Sequence, residues 1–246
     1  MNSTLELMYQ HRSIRAYQDK AVPSDVLNSV LKAAWHGPTS VNGQQVSLVV
    51  VEDAARRQKI AEIAGGQPWI AQAPVFIAVV ADFYKTSRAV AATGSTQVIH
   101  DSLEGFTVGA IDAGITLGNL MTAAHAAGLS VVPIGGIRND PTAMAALLHL
   151  PEHTFPMVGL CLGYAAKDAP LKPRLPLSTY VHRESYQTDG LDAAIAAYDQ
   201  TMMAHWQAQG RDDGEPWTIS VRDYYSKVYF PNLGAAARKQ GFGFDN

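Results

Sequence analysis

Cysteine is almost absent from this chain, Cys161 being the single one among 246 residues. A disulfide framework within the chain is thereby excluded, and a reducing compartment is expected. Charge is scarce as well, at 17% Asp, Glu, Lys and Arg against the usual ~25%. The balance is −3, with a pI near 6.2, whereas a domain built to bind nucleic acid is usually basic. Long apolar runs are missing too: residues 73–81 are interrupted by Pro74 and fall far short of the ~20 residues a membrane span needs. The opening MNSTLELMYQHRSIR lacks the apolar centre of a signal peptide. A soluble, cytoplasmic protein with neither nucleic-acid nor membrane partners is the expectation. Also absent are G-x-G-x-x-G after a strand, G-x-x-x-x-G-K-[ST], H-E-x-x-H, C-x-x-C and G-x-S-x-G. His149 and His153 have a metal-like spacing, but Pro151 breaks the face between them, so no metal is expected.

What is present is a 47% apolar chain with little charge to cover its surface, which points to an apolar face shielded by a second subunit. The length corresponds to about one and a half domains at ~150 residues each, enough to bury a core without staples. Helices are expected at Leu5–Gln10, from Ser24 to the Gly37-Pro38 stop, and over Asp53–Gly65. A small-residue helix covers Val108–Ala127, and further helices cover Pro141–His149 and Asp192–His205. Buried strands are expected at Val46–Glu52, Pro74–Asp82, Val131–Ile134 and Pro156–Gly163. Residues 84–106 read as a mobile excursion, and the aromatic tail as packing on a body. Helices and strands mix without strict alternation, which favours an α+β, three-layer fold with a central mixed sheet flanked by helices. The organisation expected is a core over 1–205 and a C-terminal extension over 206–246.

Three segments could carry chemistry. His11-Arg12-Ser13-Ile14-Arg15 groups two guanidiniums and a hydroxyl, which suits an anion or equally a solvated turn. In Lys172-Pro173-Arg174-Leu175-Pro176 the prolines hold the chain extended, so Lys172 and Arg174 point the same way as a two-pronged cation. A plain linker would read identically. In VVPIGGIRN at 131–139, two glycines after a strand let backbone approach a flat ligand, or simply form a tight turn.

Taken together and in this order, the motifs resemble the flavin-dependent nitroreductase superfamily, in particular its group A branch of oxygen-insensitive NADPH nitroreductases and flavin reductases. The resembling pieces are HRSIRAY at 11–17, GGQ at 65–67, PIGGIRND at 133–140, GLCLGYAAKDAPLKPRLP at 159–176 and VHRESY at 181–186. The resemblance implies a homodimer with FMN at the subunit interface and a C-terminal extension wrapping the partner. It places Arg12, Ser13, Lys172 and Arg174 on the FMN phosphate with His11 alongside, and Arg15 near flavin N1 and the C2 carbonyl. There a fixed cation would favour the charge that reduction brings. Gln67 would reach the ribityl or pyrimidine part and Gln44 the ring edge. Ile134, Gly135 and Gly136 would present backbone to one ring face, and Thr39 and Ser40 would contact the cofactor. The implied reaction is ping-pong, with NADPH or NADH reducing FMN and leaving before an electron-poor nitroaromatic, quinone or free flavin takes two electrons. A flavin reductase, or a flavin-binding module without turnover, is the alternative.

The chain departs from that branch in two places. Residues 40–45 read SVNGQQ, where relatives often carry serines and an aromatic. Residues 209–216 read QGRDDGEP, with Arg211 alone among three acids where relatives carry several arginines for the 2′-phosphate of NADPH. Those acids would repel that phosphate. NADH is therefore expected to be used at least comparably to NADPH; a hundredfold preference for NADPH in kcat/KM would refute this.

Overall fold

The computed structural model describes residues 3–244. Contacts divide the chain into two compact units, one running to Ala169 and resuming at Asn232, the other Pro170–Pro231. The boundary expected at 205/206 falls inside a helix of the second unit, Leu191–Ala208.

The first unit is built on a four-stranded sheet: β1 Val46–Val51, β2 Val75–Asp82, β3 Ser130–Ile134 and β4 Thr154–Gly163, in the order β1-β2-β4-β3. Every pairing between these strands is antiparallel. The mixed character expected of the sheet narrows to an isolated parallel bridge, Ser13 to Val131. The central strand β2 is almost wholly buried, as its unbroken apolar run requires of a strand covered on both faces.

Side-chain alternation along β2 sorts the core into two layers. Val75, Ile77, Val79 and Ala81 face α2 (Ser24–Trp35), α6 (Leu103–Ala126) and α10 (Leu233–Lys239). Phe76, Ala78 and Val80 face α3 (Ala54–Ile63), α4 (Pro68–Gln72) and α7 (Pro141–Leu147). This is the three-layer arrangement expected. Cys161 lies in the second layer, fully buried, and burial pushes its thiol up to about 12.

Residues 84–106 are more regular than an excursion. Asp82 accepts a hydrogen bond from the Lys85 N–H and starts helix α5, Phe83–Ala91, with Phe83 buried. Gln97 then donates to the Phe83 carbonyl at 3.0 Å, and Ser102 caps α6 through the Gly105 N–H. Polar capping residues at both ends lowered the apolar count that made the segment read as loose. The end of the tail does pack on the body: Phe242 sits among Phe83, Phe106 and Phe155 in edge-to-face pairs. The second unit contains α8 Leu191–Ala208 and α9 Trp217–Tyr225, joined by Asp199, which accepts from both the backbone and the hydroxyl of Thr218.

Gly159 tests the packing of the sheet. A Cβ there would come within 2.7 Å of Phe76 Cε2, on a ring that is fully buried. Gly159→Ala is expected to destabilise the protein by about 1–3 kcal/mol, read from urea or thermal unfolding.

Candidate functional site

The motif at 11–17 is an extended arm stitched onto the sheet. The Ile14 N–H donates to the Val131 carbonyl at 3.0 Å, Gln18 N–H to Tyr164 O at 2.9 Å, and Ala166 N–H to Ala16 O at 2.9 Å. Ile14 is buried and acts as the apolar peg. Tyr17 donates its hydroxyl to the Cys161 carbonyl, and burial holds its pKa far above the ordinary phenol value. Alternation along the arm then turns Ser13 and Arg15 away from the Ile14 side. Arg15 is exposed, its guanidinium 5.5 Å from the Trp69 ring.

Arg12 is underbonded. One terminal nitrogen donates to Gln10 at 3.2 Å, the other lies 3.5 Å from Asp168, and Nε is buried without a hydrogen-bond partner. A buried donor left unpaired is costly, and a guanidinium in that state fits an anionic group such as a phosphate. Beside it, His11 Nδ1 lies 3.1 Å from His125 Nε2.

At the other end of β3 two distant motifs meet. Gln67 donates its side-chain amide to Ala64 O, and Gly136 packs so tightly here that a Cβ would reach Ala64 O at 2.6 Å and strike the Gln67 amide. Gly65 has φ +85° and faces the Asn139 amide, so the GGQ and GGIRN turns form one continuous, half-buried surface. Arg138 underpins it by donating to Met157 O at 2.6 Å. The three steps of β3 from Val131 to Ile134 hold arm and glycine turns roughly 10 Å apart.

Thr39, Ser40 and Gln44 form a separate cluster. Their loop is tied to α6: the Ser40 N–H and the buried Gln45 amide both donate to one oxygen of Asp112, itself buried. Thr39 Oγ1 accepts from the Gln44 N–H. Val41, Asn42 and Gln44 all have positive φ, near 50°, and for a β-branched residue such as Val41 this is strained. Val41 is nonetheless 97% exposed. Thr39 and Gln44 line an open groove of ≈ 670 Å³ between α2 and the edge strand β1, with Trp35, Leu48 and Lys85.

Lys172 and Arg174 lie in the second unit. Arg174 Nη1 turns back onto the carbonyls of Lys172 and Pro173, at 3.0 and 3.2 Å, and Lys172 lies 5.5 Å from the Trp206 ring. Tyr198 donates to Pro173 O at 2.9 Å, fixing the proline segment. Arg211 is forked onto Asp213 at 3.1 and 3.2 Å and stacked on Trp206 at 4.4 Å. The hydrogen bond from Arg211, and then its charge, hold the Asp213 carboxyl below the usual range.

Asp112, Gln45, His125 and Arg138 were not singled out from the sequence. A signal existed for one of them: Asp112 is the only Asp, Glu, Lys or Arg between Glu104 and Arg138, and an isolated acid in a small-residue helix has a partner to find. Among the described residues no cluster of His, Cys, Asp or Glu could hold a metal, and no helix is long and apolar enough to cross a membrane.

Comparison with known proteins agrees with the motifs. Residues 8–164 match the model of the nitroreductase family, and residues 172–245 match that of the nitroreductase family C-terminal domain. The chain is 40% identical to an FMN reductase [NAD(P)H] of Bacillus subtilis over 98% of both chains. It is 34% identical to an oxygen-insensitive NADPH nitroreductase of Salmonella typhimurium, over 98% of this chain and 99% of that one. The solved structure of B. megaterium NfrA2 superposes with a TM-score of 0.97 at 39% identity over the whole of both chains.

The Asp112 anchor can be tested directly. Asp112→Ala leaves two donors without their acceptor and is expected to cost about 3 kcal/mol, measured by chemical unfolding. Asp112→Asn keeps one acceptor oxygen and should lose clearly less.

Proposed function

Because this chain belongs to the nitroreductase family, we propose that it is an FMN-dependent NAD(P)H oxidoreductase. It reduces electron-poor acceptors, such as nitroaromatics, quinones or free flavin, two electrons at a time in a ping-pong cycle. The observation that carries this reading is the layout of β3, with an underbonded arginine arm at its start and a glycine-backed surface at its end. That layout suits a ligand with an anionic head and a flat ring. FMN, when bound, supplies the two-electron redox chemistry, which the protein's own side chains lack.

The roles of the residues follow from their chemistry. Arg12, Ser13 and His11 are assigned the FMN phosphate, and so are Lys172 and Arg174. Arg174 is spent on its own backbone carbonyls, weak acceptors that a phosphate would outcompete. Arg15 is assigned the electrostatic role at flavin N1 and the C2 carbonyl. Gln67, Ile134, Gly135 and Gly136 are assigned the ribityl chain and one ring face, at the place where Gly136, lacking a side chain, lets the GGQ turn close against the GGIRN turn. Thr39, Ser40 and Gln44 sit in a cluster tied to α6 rather than to the arm. That separation favours a homodimer in which each FMN takes contacts from both chains. The exposed Trp35 and Val41 beside this cluster favour the same. A cytoplasmic, soluble enzyme is the setting that fits the single buried thiol.

For the reductant, Arg211 carries the argument. Its guanidinium is already forked onto Asp213, with Asp212 and Glu215 nearby in sequence, so a 2′-phosphate would have to displace an acid. This supports acceptance of NADH. Nitroaromatics and free flavin would both use one open pocket.

The protein should purify yellow, bleach with NAD(P)H under anaerobic conditions and recover its colour on adding a nitroaromatic or quinone. Colourless protein that takes up no added FMN would overturn the reading. Arg174→Ala should release FMN on dilution, whereas Arg211→Ala should change the nucleotide KM with flavin still bound. A fully loaded Arg174→Ala enzyme would remove the phosphate assignment from that residue.

A further inference from the structure

His11 does not stand alone at the arm. Its Nδ1 lies 3.1 Å from His125 Nε2, and His125 Nδ1 lies 3.2 Å from the Leu129 carbonyl. A carbonyl oxygen only accepts, so the proton of His125 resides on Nδ1. Burial lowers the pKa of His125, against a smaller upward pull from the bond to Leu129, so the ring is neutral near pH 7. A neutral ring with its proton on Nδ1 offers a lone pair at Nε2, and the donor across that 3.1 Å contact has to be Nδ1–H of His11. The direction of the chain is thus fixed by its terminus: His11 Nδ1–H to His125 Nε2, His125 Nδ1–H to Leu129 O.

Local structure explains why the terminus is there. His125 occupies the last turn of α6, Gly128 turns the chain at φ +73°, and Leu129 folds back with its N–H on Ala124 O. Leu129 precedes β3 directly, and Val131, two residues on, is where the arm is stitched through Ile14 N–H. The same short stretch of backbone therefore anchors the arm on one side and, through His125, orients the ring of His11 on the other.

We propose that His125 is a positioning residue for flavin binding, holding His11 as the tautomer protonated on Nδ1. The proposal rests on the assignment of residues 11–13 to the FMN phosphate. Nδ1 carries a proton in both the neutral and the cationic form of His11, so the relay stays intact whichever is present. Loss of this acceptor would remove one constraint on the tautomer and rotamer of the ring, and freedom gained in that way would have to be given up on each binding event.

The test uses the FMN-loaded enzyme. Nitrogen-15 spectra of its histidine side chains should show His11 protonated on Nδ1 in the wild type. Finding neutral His11 protonated on Nε2 would overturn the proposal without any variant. His125→Phe should raise the FMN dissociation constant about five- to tenfold, the scale of one oriented hydrogen bond, read from the fluorescence of flavin released on dilution. His125→Gln, whose amide oxygen can accept from His11, should recover most of that loss, which a purely structural role would not give. If His11→Ala weakens FMN but His125→Phe and His125→Gln both bind as wild type does, His125 has no such role. If His11→Ala and Arg12→Ala both leave FMN release unchanged, the phosphate assignment fails and this proposal fails with it.

Discussion

The backbone bond from Ile14 N–H to the Val131 carbonyl is the constraint on which the candidate site depends. It converts a charged, extended segment near the start of the chain into an added edge on β3. Arg12, Ser13 and Arg15 gain defined positions only because Ile14 is buried and the backbone around it is paired. A β3 edge bearing Pro133 could not accept a full strand along its length, and the single parallel bridge at Ser13 is what that edge allows. Charge placed on a floppy segment would lose its orientation, and with it most of its value for an anionic ligand.

The rest of the first unit serves to make that edge rigid. β3 pairs with β4, β4 with the almost wholly buried β2, and both faces of the sheet are sealed by helices. The GGQ turn leans on Ala64 at the end of α3, and the GGIRN turn is held by Arg138 against β4. Two glycine turns 70 residues apart thus share one surface, because neither has a side chain to keep the other away. The loop at 39–44 is built on a different principle. Its positive φ angles are unfavourable locally and persist because Asp112 fastens both its ends.

Much of this was legible in the sequence where one residue type dominates a local choice. The apolar runs of β2 and β4 and the Gly37-Pro38 stop each act within a few residues, and the elements follow. The three binding segments were legible as residue types but each allowed a plain structural reading, because chemistry at a site depends on what the chain brings alongside. Helix α5 was missed because its cap, Asp82, also ends the apolar run of β2, and the face it turns inward carries polar Thr86 and Ser87 between Phe83 and Val90. The antiparallel order of the sheet was not legible, since strand length and composition carry no direction. His125 was invisible, unlike Asp112: its partner His11 is 114 residues away, and within its own helix it looks like an ordinary polar residue.

Cys161 illustrates what deep burial does for handling the molecule. Its thiol lies in the middle of the sheet's second layer, with its proton held far above neutral pH. Toward maleimides and iodoacetamides the folded chain therefore behaves as though it had no cysteine. A single thiol introduced at an exposed position would take a dye, a spin label or an electrode tether alone, with no need to delete the native one and disturb β4.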